Sequence, residues 1–126
     1  EVGHAGLTRL HIVKDMHERK AMMAELSDGF IAMPGGIGTF EELFEVFTWS
    51  RLGFHDKPIG LLNVSGFYDG LIAFLQHTVA QGFLSEEQAS LLMHGPEAGA
   101  LVEAFKAFRP APHEKLLDAA EAGQII

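Results

Sequence analysis

A chain of 126 residues, 48% of them hydrophobic, is long enough to bury the core of one compact domain. Its 17 acidic against 9 basic side chains leave a net charge of −8, which argues against a nucleic-acid binder, because neutralising phosphates requires a basic face. With no cysteine there is no disulfide framework, thiolate chemistry or cysteine-bound metal, and no apolar run approaches the roughly 18–20 residues of a membrane span.

The chain opens at Glu1 without an initiator Met, so a further segment upstream is expected. No signal-peptide pattern opens it, and a soluble, cytoplasmic protein is the default expectation. Short apolar runs at Leu10–Val13, Gly29–Met33 and Pro58–Asn63 read as strands. Helical patterns at Asp15–Ser27, Thr39–Leu52 and Phe67–Gln81 alternate with them. Runs without period-2 alternation, separated by helices, predict strands buried on both faces of a parallel sheet. Leu91–His94 fits either a further short strand or a helix end. Pro96–Phe108 reads as a last amphipathic helix, with Leu101, Val102, Phe105 and Phe108 on one stripe. The domain is therefore placed at residues 1–109 and a tail at 110–126, with one loose helix expected over 113–122.

The helices from Thr39 and Phe67 carry more aromatic and aliphatic surface than one sheet face can cover. Three explanations stand: ordinary core, a face that buries a partner subunit, or a face left bare because an upstream half is missing.

Residues 34–42 read Pro-Gly-Gly-Ile-Gly-Thr-Phe-Glu-Glu, between a strand and a helix. That order presents backbone N–H groups to a phosphate. Gly35, Gly36 and Gly38 let the main chain approach a ligand that a Cβ would hold off. The segment is not a dinucleotide fingerprint, since Glu41 stands where its third glycine belongs, and it is not a P-loop, since no lysine follows. What remains is a mononucleotide-style turn, with Thr39 offering a hydroxyl at the helix start. Thr39-Phe-Glu-Glu42 also matches a capping box, in which Thr39 caps the helix and Glu42 reaches back to its N–H. Both readings of Glu42 stay open on the sequence.

Asp15-Met-His-Glu-Arg-Lys20 opens the preceding helix. Asp15 suits an N-cap, and Asp15–Arg19 an exposed i,i+4 pair. Alternatively, Arg19 and Lys20 sit beside the glycine loop, because ligands of open parallel sheets bind outside the carboxyl ends of the strands. The 7 histidines include no pair at the i,i+4 spacing of a zinc helix, so no metal site is expected.

These two strings together resemble the Lonely Guy family of cytokinin riboside 5′-monophosphate phosphoribohydrolases. The likeness continues through Thr48-Trp49, Leu52-Gly53, His55–Asn63, Gly66-Phe-Tyr68 and Glu86, and so spans Glu1 to about Phe108. The resemblance implies a Rossmann-like α/β fold, a parallel sheet flanked by helices that in this chain is without its N-terminal βα units. It implies hydrolysis of the N-glycosidic bond of a nucleoside 5′-monophosphate to free base and ribose 5-phosphate, with no cofactor. The family's catalytic arginine and glutamate fall on Arg19 and Glu42. Its substrate contacts fall on Glu1, Lys20, the loop from Gly35 and Gly36 through Ile37, Gly38 and Thr39 to Glu41, and Thr48. A homodimer is implied, with no nucleic-acid or membrane partner. The rival function is a non-catalytic carrier or sensor that holds a nucleotide on the same fold. An amino-acid decarboxylase would need a pyridoxal phosphate lysine in a recognisable setting, and none is evident.

Overall fold

The computed structural model describes residues 3–110; Glu1 and the tail from 111 onward, including the helix expected over 113–122, lie outside the described residues. Three short parallel strands, β1 (Phe30–Ala32), β2 (Ile59–Leu62) and β3 (Leu92–Gly95), form one sheet in chain order. Phe30 stands opposite Ile59, and Ile59 opposite Leu92. The connections are helical: α1 (Met16–Leu26) precedes β1, α2 (Ile37–Arg51) joins β1 to β2, and α3 (Asp69–Ala80) and α4 (Glu86–Ala89) join β2 to β3. The last helix, α5 (Ala98–Ala107), follows β3. This is the expected α/β architecture.

Parallel strands need helices on both faces, and the side-chain parity of β2 shows how that is met. Ile59 and Leu61 are fully buried with Leu43, Phe47 and Tyr68, so α2 and the start of α3 cover one face. Gly60, between them, faces the other way. A Cβ there would crowd Leu101 and Phe105, so glycine is what lets α5 lie flat on the sheet.

One expectation is corrected and one element was not anticipated. Leu10–Val13 forms no strand: Leu10 and Ile12 are exposed, and no described residue pairs with the segment. A strand exists only as part of a ladder, so apolar composition alone does not make one. The stretch after Gly82, to which the sequence reading assigns no element, contains α4. Its Ser85 hydroxyl accepts from the Gln88 N–H at 3.0 Å, a capping signal that Ser85-Glu-Glu-Gln88 carries in plain view. The ambiguous Leu91–His94 resolves as a strand that starts one residue later.

Candidate active site

The chain leaves β1 at Met33 and turns through Pro34–Gly36 into α2. The capping box does not form. Gly36 (φ −110°, ψ −149°) occupies the cap position, and α2 begins at Ile37 with no side chain capping it. Thr39 therefore lies inside the first turn. There its hydroxyl packs against Gly35, where an added Cβ would overlap Oγ1. The first intrahelical bond closes from Phe40 N–H to Gly36 carbonyl at 3.1 Å, and the first turn holds no acid. The amides of Ile37, Gly38 and Thr39 and the positive end of the helix dipole are thus left for a ligand. An added Cβ at Gly36 or Gly38 would meet nothing within 4 Å.

With the capping role gone, the Glu42 carboxylate has no hydrogen-bond or ion-pair partner among the described residues. It borders a cavity of about 380 Å³ between α1, β1 and α2, together with Lys20, Thr39 and Glu45. Met23, Ile31 and Trp49 supply apolar wall. Lys20 is largely buried, and its ammonium is 2.8 Å from Glu41 and 3.1 Å from Glu45. The hydrogen bonds to Glu41 and Glu45 hold the Lys20 ammonium above its usual range, and the bond from Lys20 holds Glu41 below its own. One lysine thus ties α1 to two successive turns of α2.

Arg19 is exposed and does not border the cavity; its Nη1 lies 4.0 Å from Met16 Sδ. Asp15 caps α1 as expected, accepting from Glu18 N–H at 2.8 Å. Thr48 also stands off the cavity, its hydroxyl donating to the Phe44 carbonyl at 2.6 Å. Of the residues singled out in the sequence, Lys20, Thr39 and Glu42 line the cavity and Glu41 joins them through Lys20, whereas Gly35, Gly36, Ile37 and Gly38 do not line it, and neither do Arg19 and Thr48. Glu1 is outside the described residues. Sequence reasoning missed Glu45, although its spacing of four from Glu41 puts both carboxylates on one face of α2.

Comparison with known proteins places the chain in a family. A family described as "Possible lysine decarboxylase" matches residues 1–105. Cytokinin riboside 5′-monophosphate phosphoribohydrolase LOG3 of Arabidopsis thaliana is 50% identical over 104 residues, covering 82% of this chain and 48% of that protein. The enzyme of the same name from Rhodococcoides fascians is 56% identical over 85 residues, 68% of this chain and 43% of its own. The chain belongs to the Lonely Guy family. It spans about half the length of the curated relatives it matches. The lysines on or near this cavity are already engaged. Lys20 is held by two carboxylates and Lys57 donates to the Ala24 and Glu25 carbonyls.

Proposed function

We propose that the protein carrying this chain hydrolyses the N-glycosidic bond of an adenosine 5′-monophosphate, with or without an N6 substituent, releasing free base and ribose 5-phosphate. The observation that carries the reading is the Glu42 carboxylate: it stands on the cavity wall beyond the glycine loop, with no partner among the described residues. Breaking a ribosyl N–C bond builds positive charge at the anomeric carbon, and a nearby carboxylate stabilises that charge and orients or deprotonates the attacking water. Glu42 takes that role. The N-terminal amides of α2 and the Thr39 hydroxyl hold the 5′-phosphate, fixing the sugar for attack.

Charge divides the work further. Lys20 with Glu41 and Glu45 carries a net negative charge, which makes it a poor phosphate site and a better one for ribose hydroxyls. The phosphate therefore belongs at the loop. Arg19, one residue away on α1, engages phosphate or ribose oxygens, or assists departure of the base, once substrate is bound. Thr48 and Glu1 remain substrate contacts in this reading. We place the protein in the cytoplasm as a homodimer. Among the described residues no helix is long and apolar enough to cross a membrane, and Phe44, Phe67 and Phe74 stand exposed as a partner surface requires.

The test is incubation of the full-length protein with AMP and with isopentenyladenosine monophosphate, following free base and ribose 5-phosphate. Release of base from either supports hydrolysis. Tight nucleotide binding without release would favour the carrier or sensor.

A further inference from the structure

Tyr68 is among the largest fully buried side chains, at 1% exposure, and the proposed hydrolysis does not use it. A buried phenol must spend its hydroxyl on a partner. Here the partner is 35 residues away in sequence: the Tyr68 hydroxyl donates to the Met33 carbonyl at 2.5 Å. Met33 lies one residue beyond the β1–β2 register, which ends at Ala32 opposite Leu61. It is the last residue before Pro34 and the glycines, so the bond fixes the point where the strand becomes the loop.

Tyr68 is itself held in place. Its N–H donates to Asn63 Oδ1 at 2.7 Å, and Asn63 Nδ2 donates to Asp69 Oδ1 at 2.8 Å. The Asn63 N–H donates to the Gly95 carbonyl at 2.8 Å. One short network therefore ties the C-terminal ends of β1, β2 and β3, the edge at which parallel sheets bind ligands. Burial also pushes the Tyr68 phenol above its ordinary range, so it remains a donor at neutral pH.

We propose that Tyr68 is the positioning residue of the glycine loop, its hydroxyl setting the path from Met33 into α2 on which the loop amides converge on a phosphate. This rests on the reading of the loop as a phosphate site. A residue that merely filled the core would affect stability and leave ligand selectivity alone.

The test compares the wild-type full-length protein with Tyr68→Phe, which keeps the ring and removes the bond. The probes are ribose 5-phosphate and adenine, titrated separately by calorimetry, with steady-state hydrolysis of AMP. The expected result is ribose 5-phosphate affinity weakened about five- to tenfold, the scale of one lost hydrogen bond. Adenine affinity stays constant, and KM for AMP rises with little change in kcat. Leu101→Ala, in the buried α5 contact remote from the loop, is the control for stability loss and should leave ribose 5-phosphate affinity intact. If Tyr68→Phe does not fold, Asn63→Ala, which frees the Tyr68 N–H, takes its place: the same selective loss of ribose 5-phosphate affinity is expected of it. Wild-type affinity in the variant, or equal losses for both probes, overturns the positioning role alone. A wild-type protein that fails to bind ribose 5-phosphate overturns the phosphate reading, and this inference with it.

Discussion

Glu42 and Glu45 lie three residues apart on α2 and border the same cavity, yet only Glu45 is engaged, with its Oε2 3.1 Å from the Lys20 ammonium. Two carboxylates of one helix face are thereby separated in character. The paired one braces α1 against α2, and the other has no side-chain partner among the described residues.

That separation makes Glu42→Gln informative. Because Glu42 neither caps α2 nor pairs with a described residue, its replacement should leave the melting temperature nearly unchanged. Loss of a positioned general base typically costs about 10²–10⁴ in rate. We expect kcat for base release to fall by at least that order while AMP still binds. Unchanged turnover would remove Glu42 from the chemistry. Arg19→Ala, assayed the same way, should also slow base release if the exposed guanidinium is drawn to the substrate.

The glycines of the loop should split by position. Gly35→Ala forces a methyl onto the Thr39 hydroxyl, so it should unfold the helix start and lower both stability and activity. Gly38 lies inside α2 with open space around its Cβ position. Gly38→Ala should therefore be neutral or stabilising, by up to about 1 kcal/mol from helix propensity. It should nevertheless weaken ribose 5-phosphate binding, because the methyl occupies the space a phosphate needs. A Gly38→Ala protein that binds as well as the wild type would contradict a phosphate seated there.

What could be read from the sequence was what local chemistry decides. Gly29 and Pro58 bracket continuous apolar runs, and those runs became β1 and β2. Asp15 capped α1 because an Asx side chain before a helical pattern needs nothing from elsewhere in the fold. Leu10–Val13 failed because a strand depends on a partner ladder, which composition does not supply. The start of α2 was misplaced because Thr39-Phe-Glu-Glu42 mimics a capping box, whereas the real cap is Gly36, a residue with no side chain to announce itself. Lys20 and Glu42 do line one cavity, but Arg19, expected there with Glu42, does not, because its neighbour Lys20 occupies the inward face of α1. The bond from Tyr68 to Met33 was not legible, since it joins two crossovers that only the folded sheet brings together.

Lys57 offers a separate check on how α1 is held. That helix buries none of its residues fully and has no basic residue in its last turn. Lys57 supplies the missing cation from the turn before β2, donating to the Ala24 carbonyl at 2.6 Å and the Glu25 carbonyl at 3.2 Å. Lys57→Met should cost about 1 kcal/mol, the usual worth of a cation at a helix C-terminus. Amide exchange should quicken in the last turn of α1 before it does in α2.

The ion triad predicts a pH dependence with a definite sign. The Glu41 carboxyl is held below its ordinary value by the bond from Lys20, so its contribution is present above the unfolded value near 4.5 and lost as pH falls through the lower folded value. The Lys20 ammonium is held above its ordinary 10.5, so its contribution is complete below that value and lost only as pH rises through the higher folded one. The bridge is therefore intact across the neutral range and weakens from the acid side first. Lys20→Met removes it. The gap in melting temperature between wild type and Lys20→Met should be widest near neutrality and close as the pH is lowered below the carboxylate range. A gap that stays constant through acid would mean that Lys20 stabilises the protein through its alkyl stem, and that the carboxylates of α2 contribute nothing to docking α1.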